Sequence, residues 1–164
     1  MLAFRAVLFT VLLPGTTLVW IPQMLAARDA SRLELPVFRW FGLPLAAVGA
    51  GVLLVCIVDF ARKGRGTLAP VDPPRNLVAS GLYRHVRNPM YFGAVALLVG
   101  QAMLFESKSV LLYAGLSWLA SHLFVLAYEE PHLKRTFGAE YEEYRAGVPR
   151  WLPRLRPWAP RETW

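Results

Sequence analysis

Four blocks of apolar residues, near 6–25, 40–58, 90–105 and 110–128, take up most of this 164-residue chain. A hydrocarbon core asks for about 20 residues per spanning helix, and each block is close to that length. Little sequence is left over for a water-facing core. The charged fraction of 18% also falls below the roughly 25% usual in soluble domains. The expected architecture is therefore an all-α polytopic membrane helix bundle, a single membrane domain over residues 1–164 with about four transmembrane helices. Residues 1–60 form its N-terminal helix pair.

The net charge of +7 raises the question of nucleic acid. Thirteen of the 18 basic residues, however, lie in two stretches, a connector from residue 59 to 89 and a tail from Glu129. Basic residues beside apolar blocks orient a membrane protein by the positive-inside rule, and no basic groove is left over, so no nucleic-acid partner is expected. Both basic stretches should face the cytoplasm, with blocks three and four as a hairpin between them. With one crossing each for blocks one and two, both termini are cytoplasmic, as in a multi-pass protein of a prokaryotic cytoplasmic membrane. The lone Cys56 permits no intramolecular disulfide and no cysteine-rich metal site.

Block one contains Pro14-Gly15, which removes a helix hydrogen bond and predicts a kink or a break into two half-helices. Its charge, apolar run and Ala26-Ala27 pair also resemble a cleaved signal peptide, although the run exceeds the usual signal core. Block two carries Gly42, Gly49 and Gly51, small residues that let helix backbones approach closely in lipid. Block three opens at Pro89, suited to a first helical turn, and a tight turn at Glu106–Ser109 leads into block four. In the tail, Leu133, Phe137, Tyr141, Tyr144 and Val148 recur every three or four residues. That spacing predicts a C-terminal interfacial helix opened by Pro131 and ended near Gly147-Val148-Pro149.

Two polar clusters interrupt this oily pattern. Gly81-Leu-Tyr83-Arg84-His85-Val-Arg87-Asn88-Pro89-Met-Tyr91-Phe-Gly93 places cations, an imidazole and two phenols at the N-terminus of block three. Unpaired N–H groups there favour a carboxylate or phosphate; an interfacial belt binding lipid headgroups is the plainer alternative. Glu129-Glu130 stands at the foot of block four, where adjacent acids are costly unless solvated or paired. Successive helical residues diverge by about 100°, so one acid is expected to face the bundle and the other water. If blocks three and four form a hairpin, both clusters meet at one end, a pattern suited to a zwitterionic ligand. His122 and Gln101, inside membrane blocks, either line a substrate path or bond between helices with Ser117 and Ser121, and the second is expected.

GLYRHVRNPMYFG and EEPHLKRTFGAEYEEYRAGVPRWLP resemble the isoprenylcysteine carboxyl methyltransferase family, in the patterns G-x-Y-x-x-x-R-H-P-x-Y-x-G and E-E-x-x-L-x-x-x-F-G-x-x-Y-x-x-Y-x-x-x-V-P-R-x-x-P. The likeness covers residues 76–153. It implies an integral membrane methyltransferase using S-adenosylmethionine, with this stretch as its cofactor-binding region and no metal. Carried over by position, Tyr83, His85, Arg87, Asn88, Pro89, Tyr91 and Gly93 line the cofactor site, and Glu129, Glu130, Tyr141, Tyr144 and Arg150 close it. Arg87, Glu129 and Glu130 are its catalytic candidates. Asn88 stands where many relatives have His, and Val125 and Leu126 precede the acid pair where some have Arg a turn earlier. The implied partners are a lipophilic or small methyl acceptor and membrane lipids, with no obligate protein partner. Two rivals are a nicotinamide-dependent membrane sterol reductase, whose R-N/H-P-x-Y and tail patterns are similar, and a non-catalytic lipid-binding scaffold.

Overall fold

The computed structural model describes residues 12, 14–29, 32–34, 36–59, 62 and 77–159. Residues 1–11 of the chain and about half of the basic connector, 60–61 and 63–76, lie outside the described residues, together with what was expected of them. Among the described residues the regular structure is helical: α1 (Ile21–Arg28), α2 (Arg39–Asp59), α3 (Pro89–Phe105), α4 (Lys108–Phe124) and α5 (Glu130–Gly147). A 3-10 turn, Gly81–Arg84, precedes α3, and π turns at Thr16–Trp20 and Val125–Glu129 precede α1 and join α4 to α5. Two helical columns are long and apolar enough to cross a membrane, α2 and the run Lys108–Gly147; α3 is apolar but shorter. Trp40, Leu43, Leu112 and Leu116 stand more than half exposed on their outer faces, as lipid contact requires.

Whether Pro14 and Gly15 follow a first half-helix turns on residues 1–11 and 13, outside the described residues. Gly15 keeps right-handed helical angles and the ladder widens into the π turn just after it. A π turn leaves carbonyls offset from their usual donors, and in a bilayer these must be satisfied by protein. Gln101 Nε2 of α3 donates to Leu18 O at 2.8 Å, and the Tyr113 hydroxyl of α4 donates to Thr17 O at 3.1 Å. Gln101 is thus the interhelical bond expected of it. Ser121 is not: its hydroxyl donates to Ser117 O at 2.8 Å within its own helix.

The α2–α3 crossing is a seam of small residues. A Cβ on Gly42 would stand 2.7 Å from Gly100 O, and one on Gly49 would stand 2.7 Å from Gly93 O. The backbones therefore touch where Gly42 and Gly49 face α3, while Gly51 meets nothing within 4 Å. At the far end of α3, Glu106 takes left-handed angles (φ 51°) and ends the helix. Ser107 then caps α4 by accepting from Val110 N–H at 3.1 Å. Asp29 reaches over from the end of α1, accepting from the Ser107 hydroxyl at 2.6 Å and from Ser109 N–H at 2.9 Å.

The expected interfacial helix is α5, and it continues α4 without a loop, through the π turn. Inside it Gly138 leaves helical angles (φ 51°, ψ −121°) and kinks the run. Beyond the kink, Tyr141, Tyr144 and Val148 form a buried cluster with Leu133, Phe137, Leu77, Ala79 and Trp158 packed against it. The aromatic stripe thus caps the Pro89 end of the bundle.

Candidate active site

The chain after α5 turns back and runs beside residues 84–88. Arg87 N–H donates to Pro149 O, Arg154 N–H to His85 O and Trp158 N–H to Arg84 O, each at 2.9 Å. Arg84 Nε adds a bond to Trp158 O. The turn that makes this possible is Gly81 (φ 57°), whose missing Cβ would strike the Asp59 carboxylate; only glycine suits both the angle and the space. Gly147 is pressed in the same way against the Trp158 indole.

Within this frame the two polar clusters meet. Arg87 Nη1 lies 2.8 Å from Glu130 Oε1 and donates to the Tyr141 hydroxyl at 3.3 Å. Arg150 holds the same carboxylate in a two-pronged grip, Nε to Oε1 at 2.6 Å and Nη2 to Oε2 at 2.8 Å. Arg87 and Glu130 side chains are 10% and 11% exposed, so the pair is shielded and its Coulomb attraction is only weakly screened. Burial alone would raise the Glu130 carboxyl. The hydrogen bond from Arg150 and the charges of Arg87, Arg150 and Arg145 outweigh it and hold the group below its ordinary value. Arg87 Nε is buried with no partner among the described residues.

Beside this pair, the Tyr91 hydroxyl donates to Glu129 Oε2 at 2.9 Å. Both acids therefore face protein groups, against the expectation that one would face water. The reason is the π turn that ends at Glu129: its i→i+5 bonds wind the backbone more slowly than an α-helix, so successive side chains diverge less. The Tyr144 hydroxyl donates to Tyr83 O at 2.7 Å, and burial raises both phenols above the usual tyrosine range, at Tyr144 against the lowering charge of Arg87. They stay neutral donors.

Of the candidate residues, the structure brings together Arg87, Glu129, Glu130, Tyr91, Tyr141 and Arg150, with Tyr83 and Tyr144 alongside. Asn88 is buried and donates to Arg150 O at 3.2 Å; it positions the arginine's backbone. His85 is engaged away from the acids, its Nδ1 against Arg154 O at 2.8 Å. Pro89 opens α3. Gly93 packs on α2, where a Cβ would stand 2.9 Å from Val52 Cγ1. Two residues at this end went unread in the sequence: Trp158, which edges Tyr144 at 5.4 Å, and Trp151, which edges Tyr91 at 6.5 Å and lies 5.7 Å from His122. Trp151 directly follows the V-P-R triplet, the one hint available.

Comparison with known proteins bears on the family of the chain. A family model described as phospholipid methyltransferase matches residues 37–140, a stretch that holds Arg87, Glu129 and Glu130. Protein-S-isoprenylcysteine O-methyltransferase B of Arabidopsis thaliana is 38% identical over 117 residues, 69% of this chain and 58% of that protein. A probable protein-S-isoprenylcysteine O-methyltransferase of Oryza sativa subsp. japonica is 30% identical over 120 residues, 70% and 62% of the two chains. Phosphatidylethanolamine N-methyltransferase of Yarrowia lipolytica is 35% identical over 78 residues, 48% of this chain but 8% of that protein. The chain thus spans about three fifths of the plant relatives it matches.

Proposed function

The chain belongs to the family of membrane methyltransferases that takes in the phospholipid and isoprenylcysteine enzymes, and from that premise we propose that it moves a methyl group from S-adenosylmethionine to a lipophilic acceptor at the cytoplasmic membrane face. The observation that carries this reading is the meeting of Arg87, Glu130 and Arg150 within 2.6–2.8 Å at the base of α3, with Glu129 beside them. Opposite charges gathered in a shielded cluster suit a ligand that carries an ammonium and a carboxylate on one carbon. The unpartnered Arg87 Nε is a donor with capacity to spare for that carboxylate.

Arg87 takes the cofactor carboxylate, using Nε and the guanidinium edge now turned to Glu130. Glu129, fixed by Tyr91, takes the ammonium, while Glu130 stays with Arg150 and closes the tail over the site. Tyr83, Tyr141 and Tyr144 wall the adenine side. Bound there, S-adenosylmethionine supplies a methyl group on a sulfonium that leaves without acid catalysis. The protein's task is then alignment and exclusion of water, and orientation alone contributes about 7–11 kcal/mol in favourable cases. A site at the end of a lipid-facing hairpin lets an acceptor keep its hydrocarbon in the bilayer while its polar end meets the methyl group. The names of the relatives favour this reading over a nicotinamide-dependent reductase.

The test is calorimetric binding of S-adenosylhomocysteine and NADPH, with Arg87→Ala beside the parent chain. Removing one partner of a buried charged pair costs about 2–5 kcal/mol, so Arg87→Ala should bind S-adenosylhomocysteine at least about thirtyfold more weakly. Equal affinity in the two chains would remove Arg87 from the site, and binding of NADPH alone would replace methyl transfer with reduction.

A further inference from the structure

We propose that His122 of α4, held by Trp151, seats the oxyanion on the head of the lipophilic acceptor; the assignment rests on the methyltransferase reading above. A polar side chain in an apolar span is costly and serves a partner or a ligand. His122 Nδ1 accepts a hydrogen bond from Trp151 Nε1–H at 3.0 Å. An indole N–H only donates, so Nδ1 carries no proton and the neutral ring keeps its hydrogen on Nε2, a tautomer inferred from this bond. Trp118, one turn earlier, stacks on the imidazole at 5.4 Å and 7°, and the Trp151 ring lies 5.7 Å away on a tilt. Two indoles thus fix the ring, and its Nε2–H is a pre-oriented donor that loses little freedom on binding.

The ring is also close to the chemistry. Trp151 edges Tyr91 at 6.5 Å, and Tyr91 donates to Glu129, so His122 stands two ring contacts from the acid of the candidate site. On its other side, Trp118 belongs to an open apolar strip on the outer face of α4, together with Leu111, Leu112, Gly115 and Leu119. The strip follows α4 from Lys108 to Leu119, about 17 Å at a rise of roughly 1.5 Å per residue. A hydrocarbon chain laid on it ends its apolar run at Trp118, where the imidazole begins. A neutral N–H recognises an oxygen, best an anionic one, and not an ammonium. Two acceptor heads carry that group, the phosphate of an aminophospholipid and the carboxylate of a prenyl thioether acid.

The experiment uses the full chain in lipid nanodiscs with S-adenosylmethionine and, in separate arms, phosphatidylethanolamine or N-acetyl-S-farnesylcysteine. His122→Ala should raise the acceptor KM by about tenfold or more, the loss expected for one charge-assisted hydrogen bond, and leave S-adenosylhomocysteine affinity at the parent value. His122→Gln should stay close to the parent, because its amide oxygen can accept from Trp151 while its N–H donates. Trp151→Phe, which keeps a ring but loses the N–H, should raise the same KM severalfold. The arm that responds identifies the source of the oxyanion. An unchanged KM in His122→Ala, equal losses in the Ala and Gln variants, or a parallel loss of S-adenosylhomocysteine affinity each overturns the assignment; if His122→Ala does not fold, an unchanged KM in Trp151→Phe does so. A parent that methylates neither acceptor overturns the methyltransferase reading itself.

Discussion

The two ends of α3 each hold a carboxylate, and they hold it by different means. At the Phe105 end, Asp29 takes the Ser107 hydroxyl and the Ser109 N–H, neutral donors set in place by the start of α4. At the Pro89 end, Glu130 takes two guanidiniums, Arg87 and Arg150, and one of these keeps a buried nitrogen without a partner. Donors fixed by backbone geometry make a joint. Charged side chains that can trade one counter-charge for another make a site, because a ligand bringing both signs leaves no charge stranded when it enters.

That contrast can be pressed experimentally. The largest effect belongs to Glu130→Ala, which leaves two arginines facing one another. Breaking a deeply buried pair costs about 3–5 kcal/mol; with Arg150 28% exposed, a loss of ~2 kcal/mol in unfolding free energy is expected, with binding of S-adenosylhomocysteine down at least about thirtyfold. Acid should do the same more gently. Glu130 is held below its ordinary value of 4.5, so its contribution is whole above pH 4.5 and is lost as pH falls through the depressed folded value. Thermal unfolding followed into acid should show that loss in the parent, and Glu130→Gln should flatten it. Ser107→Ala, at the joint, should cost ~1 kcal/mol as a lost helix cap and leave S-adenosylhomocysteine binding untouched; a loss of affinity there would dissolve the distinction between the ends. The smallest effect is a gain. Glu106→Gly relieves a left-handed residue at φ 51°, and after the entropy cost of glycine about 0.5 kcal/mol of added stability should appear in denaturant unfolding.

Much of this was readable beforehand, for reasons that can be named. Pro89 and the Glu106–Ser109 turn bounded the third block because each follows from the chemistry of one or two residues. Gly42 and Gly49 announced a close crossing for the same reason. Arg87 could be set opposite the acid pair because a hairpin returns the chain to its starting side. The π turns were not readable, since a hydrogen-bond slip depends on what the freed carbonyls find, and Gln101 and Tyr113 come from distant elements. Nor was the tail, whose irregular path beside residues 84–88 is held by backbone bonds that leave no periodic trace. That path is why His85 is engaged by Arg154 instead of joining Arg87. Trp151 and Trp158 read only as aromatic residues in a polar stretch until the backbone carried them onto Tyr91 and Tyr144.

The turn from Val125 to Glu129 amounts to one residue more than an α-helix of that length would hold. Were those same residues to wind as an ordinary α-helix, the surplus would swing everything after them by roughly 100°. Glu129 would leave Tyr91, Glu130 would leave both arginines, and the tail would dock on the wrong side of the bundle. The pairing of this chain's charges thus depends on the slipped hydrogen bonds that absorb one surplus residue, and a column wound regularly throughout would keep every residue of both motifs and have nowhere to bring them together.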